Sequence, residues 1–98
     1  MTVAYRDLFT DVRAIVNQLD PVGLIGVGHT EGEYDLEIGT ILPRLREATG
    51  PRDVAGIVFE EFDKWFEGGD WTERTFEPIG LEVWAAWERY RARVDLAG

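Results

Sequence analysis

Proline and glycine cut this chain into four segments of helical apolar spacing, and that punctuation constrains the fold more than any other feature of it. Asp20-Pro21 stops the first segment, because a proline ring disfavours the α conformation in the residue before it. Thr49-Gly50-Pro51 stops the second and opens the third, since proline is tolerated at the first helical position, where its missing N–H has no partner to lose. Gly68-Gly69 closes the third as a C-cap does, and Pro78 opens the fourth.

Within each segment the apolar residues recur at three and four, the spacing of one helical stripe. The first stripe is Tyr5, Leu8, Phe9, Val12, Ile15, Val16 and Leu19, and the second is Tyr34, Ile38, Ile41, Leu42 and Leu45. Val54, Ile57, Val58, Phe62, Trp65 and Phe66, widened by Phe59, make the third and heaviest. Ile79, Val83, Trp84, Trp87, Tyr90 and Val94 make the fourth. Between Pro21 and Gly32 stand Gly23, Gly26, Gly28 and Gly32, too much backbone entropy for a helix interior, so a long glycine-rich loop is expected there, with Leu24, Ile25 and Val27 folded back on the core.

Helix 2 is expected to start near Glu33, where Glu33, Asp35 and Glu37 suit the positive end of its dipole. Pro43 lies inside its stripe, removes one hydrogen bond and presses on the Gly39 carbonyl, so one helix bent at Pro43 is expected. Helix 3 is expected to run to Glu67, with Glu60 and Lys64 in the favourable i, i+4 order. Asp70 to Glu77 has no clean period and reads as a loop whose Trp71 and Phe76 pack inward. The expected fold class is therefore all-α: an irregular four-helix bundle forming one domain over residues 1–98, without repeats or linkers.

Nineteen acidic against ten basic residues give a net charge of −9, which opposes approach to nucleic acid and to anionic membranes and favours a basic protein partner. No run nears the roughly 18 apolar residues of a membrane span, and the opening MTVAYRDLFTDVR has no basic and apolar leader pattern, so a cytoplasmic protein is expected. Zero cysteines rules out disulfides and thiolate zinc sites.

The chemistry of catalysis is thin. The chain has no Ser or Cys nucleophile and one imidazole, His29, in the glycine-rich loop beside Glu31, Glu33 and Asp35. That loop is the one place for a metal or small ligand, yet it lacks the paired spacing of established zinc motifs, and its carboxylates also suit a helix start. GLIGVGH has neither the Gly-Lys-Ser/Thr ending of a Walker loop nor a strand before it. The expectation is no enzyme, no catalytic residue, no cofactor and no resident metal.

Four tryptophans invite an interaction reading, because Trp is enriched where large contacts are desolvated. Trp65 and Trp84 sit on apolar stripes and read as core, while Trp71, in a polar loop after Gly68-Gly69-Asp70, is equally a core lid or a binding anchor, and Trp87 lies between these cases.

The succession LDPVGL, EYDLEIGTILPRL and DVAGIVFEEFDKWF, from about Leu19 to Phe66, resembles the YugE-like family of small, uncharacterised bacterial helical domains. It is similar also to small immunity-type proteins that neutralise bacterial toxins. The resemblance implies a compact four-helix fold and brings no catalytic residues. After Phe66 the tryptophan-bearing loop and the arginines of the last helix depart from the pattern.

Three functions follow as expectations. The leading one is a protein-binding adaptor, inhibitor or immunity-type protein presenting Glu60, Glu61, Asp63, Glu67 and Asp70 with Trp71 to a basic partner. The second is a homodimer or other homo-oligomer built on Trp84, Trp87 and Tyr90, and the third a metal or ligand binder at the His29 loop.

Overall fold

The computed structural model describes residues 3–19, 34–65 and 71–97, and every regular element among them is helical. The helices are α1 (Val3–Leu19), α2 (Asp35–Ile41), α3 (Pro51–Trp65) and α4 (Glu77–Ala97), with 3₁₀ segments at Leu42–Glu47 and Glu73–Phe76. The glycine-rich stretch with His29, the end of the first helix at Asp20-Pro21, and the Gly68-Gly69 stop all lie outside the described residues.

Apolar periodicity locates the core. Leu8, Val12 and Val16 from α1, Tyr34, Ile38, Ile41, Leu42 and Leu45 from the second stripe, Val54, Ile57, Val58 and Phe62 from α3, and Ile79, Val83 and Ala86 from α4 are buried together in one cluster. α3 packs on α4, α1 on α4, and α2 on α3. Phe62 lies at the centre, with its ring 5.6 Å from that of Tyr34 and 5.5 Å from that of Phe76.

At Pro43 the α-helix gives way to a 3₁₀ segment that begins at Leu42 and holds the proline in its first turn. The stripe survives the change of helix type, because Leu42 and Leu45 are three apart and a 3₁₀ helix eclipses residues i and i+3. Helix α2 starts two residues later than expected, at Asp35, whose carboxylate takes both ends of a guanidinium fork: Arg13 Nε donates to Oδ1 at 2.9 Å and Nη2 to Oδ2 at 2.6 Å. This bidentate pair ties α1 to α2, and the Arg13 guanidinium also lies 5.4 Å from the Phe9 ring centre.

The stretch before α4 is not an irregular loop throughout. Glu73–Phe76 forms a 3₁₀ turn closed by a reciprocal cap, in which the Thr72 side chain accepts from the N3 backbone and Thr75 Oγ1 accepts from the Thr72 N–H at 3.1 Å. Threonine at N3 replaces the glutamate or glutamine usual in that box, which is why the spacing escaped a reading of the sequence. The turn drives Phe76 wholly into the core and lays Trp71 half-buried, edge-on to Phe76 with centroids 6.1 Å apart.

Candidate functional site

The expected acidic face divides into two parts with different chemistry. Glu60 and Asp63 are exposed on α3, whereas Glu61 is turned inward with only 2% of its surface accessible. Arg44, from the first 3₁₀ segment, bridges the two glutamates: Nη1 donates to Glu61 Oε2 at 2.8 Å and Nη2 to Glu60 Oε1 at 2.7 Å. Lys64 Nζ stands 3.0 Å from the same Glu61 oxygen, so its partner is the residue at i−3 and not, as the helical spacing suggested, Glu60 at i−4. A cation shared with a buried carboxylate gains more than one held at an exposed carboxylate, because the buried charge has little water to turn to.

Burial alone would raise the pKa of Glu61, but hydrogen bonds from Lys64, Thr40 and Arg44 outweigh it and leave the carboxyl below its usual range. Arg44 is held above its ordinary value, foremost by its hydrogen bond to Glu60. Glu61 is therefore ionised and spent within the fold, and it presents nothing to a partner. Its depressed pKa stabilises the fold above the unfolded value of 4.5 and loses that contribution as pH falls through the folded value. Glu61→Gln should flatten the acid side of the stability profile below about pH 5. Urea midpoints of both proteins at pH 7 and pH 4 check this, and parallel profiles would contradict it.

A groove runs beside this cluster, across the outer side of α3. Arg52, Asp53, Gly56, Ile57, Phe59, Glu60 and Glu73 line a cleft of about 380 Å³. Beyond Arg52 it continues into a second hollow of about 230 Å³ between Pro51, Arg52, Glu77 and the strongly exposed Leu81. Gly56 keeps the floor open, for a Cβ there would come within 3.1 Å of Glu73 Oε1. Phe59 supplies the apolar wall and is anchored from behind by Phe76, with ring centres 6.2 Å apart.

The rim carries the carboxylates of Asp53, Glu60 and Glu73. Asp53 Oδ2 accepts from the Thr49 hydroxyl at 2.7 Å and from the Thr49 N–H at 2.9 Å, and these bonds lower its pKa below the ordinary aspartate value. Asp53 and Glu73 were not singled out in the sequence. The Thr49-to-Asp53 spacing across Gly50-Pro51 was the available signal for the first, and the Thr72–Thr75 cap for the second, since it sets Glu73 on the first turn.

Of the other candidates, Glu67 and Asp70 lie outside the described residues, as do the side chains of Trp65 and Phe66. Trp71 is half-buried against the core. The α4 aromatics are largely used inside the fold: Trp87 stacks on Tyr90 at 5.5 Å, and Tyr90 meets Tyr5 of α1 edge-on at 6.3 Å. Trp84 is likewise half-buried against the core. Among the described residues no three His, Cys, Asp or Glu side chains converge as a metal site would require, and none of the helices is long and apolar enough to cross a membrane.

Compared with protein-family models, with curated proteins and with solved structures, the chain matches none.

Proposed function

We propose that this chain is a small acidic protein-binding domain, an adaptor, inhibitor or immunity-type protein without catalysis of its own, that takes a basic segment of another protein along the outer groove of α3. The observation that carries this reading is the groove itself, which sets Asp53, Glu60 and Glu73 around Gly56, Ile57 and Phe59, with Arg52 as the one cation among its described lining residues. Lysine and arginine side chains combine an apolar stem with a charged head, so they match a wall of that composition. The net charge of −9 adds long-range attraction for such a partner and discourages acidic ones.

A cysteine-free chain suits a reducing cytoplasm. Glu60 lines the groove and, with Asp63, forms the exposed part of the expected acidic face among the described residues. Glu61 is left out because it is buried and held by both Arg44 and Lys64, whereas Glu60, although it too accepts from Arg44, stays exposed.

The test is affinity capture from the native cytosol, with salt elution and mass-spectrometric identification of the retained protein. A basic protein should be retained by the wild type, and Glu60→Lys, Asp63→Lys and Glu73→Lys together should weaken its binding at least about tenfold. Glu61→Lys is unsuitable, since it would unfold the cluster and lose capture for the wrong reason. Undiminished binding by the folded triple variant would remove the groove from the reading.

A further inference from the structure

The outward side of α4 has a pattern that the groove does not explain. α4 spans 21 residues, and Leu81, Ala85, Glu88 and Ala92, spaced four, three and four, make a stripe along its solvent side, all of them exposed. Leu81 keeps 61% of its surface in water, and Ala85, one turn on, leaves room for close approach beside it. This is a heptad-type seam, and among the described residues no other element packs against it.

Charge along the same helix is segregated. From Glu77 to Glu88 the charged residues are all acidic (Glu77, Glu82, Glu88), and from Arg89 to Arg93 they are all basic (Arg89, Arg91, and Arg93, which is paired with Asp7 of its own chain); a single acid, Asp95, follows. A parallel neighbour would set like charge on like. An antiparallel copy sets the acidic half of each helix on the basic half of the other, and the arrangement closes on itself through a two-fold axis.

We infer that the outer face of α4 pairs antiparallel with the same face of a second copy of this chain. Seam geometry then fixes the register. Leu81 lies against Ala92 of the second copy and Ala85 against its Glu88, with the two-fold axis between them. On one flank Glu82 meets Arg89 of the second copy. On the other, the half-buried Trp84 meets its Arg91, a guanidinium already within 5.9 Å of the Trp87 ring centre in its own chain. Each contact occurs twice by symmetry. The interface uses the solvent side of α4 and leaves the Trp87–Tyr90–Tyr5 stack intact, so it differs from a dimer built on those aromatics; it shares Leu81 with the hollow that continues the α3 groove, while Asp53, Glu60 and Glu73 of the groove lie outside it.

Sedimentation equilibrium of the full chain, from about 5 to about 500 µM, decides the matter; salt near 0.15 M shortens the Debye length to about 8 Å and screens the mutual repulsion of two acidic molecules. A monomer–dimer equilibrium is expected. Glu82→Arg alone and Arg89→Glu alone should each weaken it about tenfold or more, because each creates two like-charge contacts. An equimolar mixture of these two variants should recover the wild-type constant within about threefold, since every reversed residue then faces a reversed partner. Recovery on mixing cannot come from misfolding, and circular dichroism of each variant confirms the helices. A strict monomer over the whole range overturns the inference, and so does a dimer that neither reversal weakens or that mixing fails to restore.

Discussion

Phe62→Ala is expected to destabilise the fold by about 3 to 5 kcal/mol, the range found when a large buried aromatic is truncated and its site cannot collapse. The ring has no accessible surface and stands between Tyr34 and Phe76, so it is the point where the start of α2, the middle of α3 and the turn before α4 meet. Three separate elements would have to shift together to refill the space, and tight packing elsewhere resists such movement.

For a domain near this size, each kcal/mol moves the melting temperature by about 4 to 8 °C, so a fall of about 12 to 40 °C is expected. Phe62→Leu keeps most of the volume and should lose far less, about 1 to 2 kcal/mol. Thermal and urea unfolding followed by far-ultraviolet dichroism measure both. A loss below about 1 kcal/mol for the alanine variant would mean that the three elements do not converge on this ring.

Phe62 was legible in the sequence, because burial on a helix leaves a period and the period needs no knowledge of the neighbours. The same holds for Tyr34, Ile38, Ile41, Leu42 and Leu45, all buried as their spacing implied, even though the helix type changes at Leu42. Helix boundaries came within two residues at Asp35 and one at Glu77, where proline and the acidic first turn signal the start. Interactions between distant segments leave no such period. Arg44 and Glu61 are 17 positions apart, and Arg13 and Asp35 are 22 apart. A glutamate on α3 reads as solvated by default, so the inward turn of Glu61 could not be inferred until the 3₁₀ segment brought Arg44 over it.

The candidate face fared the same way. Glu60 and Asp63 could be placed on the solvent side from their phase on α3, and both are exposed. The groove beside them could not, because its far wall is Glu73, which a threonine-for-glutamate cap folds toward Gly56. Concavity arises between elements, and periodicity describes each element alone.

The second large effect turns on that difference. Gly80 is buried in α4, where alanine is ordinarily favoured over glycine by about 1 kcal/mol. Gly80→Ala should nevertheless destabilise the protein by about 2 kcal/mol net, as overpacking against backbone does. A Cβ at this position would fall 2.7 Å from the Pro51 carbonyl oxygen and 2.9 Å from both the nitrogen and the Cβ of Ala55. None of these atoms can rotate away, so α3 and α4 must separate and loosen Ile79 and Val83 from Val54 and Val58. Gly39, exposed in α2 with nothing within 4 Å of its added Cβ, supplies the control. Gly39→Ala should stabilise by about 0.5 to 1 kcal/mol through helix propensity and a more restricted unfolded chain. Urea midpoints of the two variants should thus move in opposite directions for one chemical change in one kind of secondary structure. If Gly80→Ala also gains stability, the two helices do not cross at this glycine, and the close approach that seals the core between them is absent.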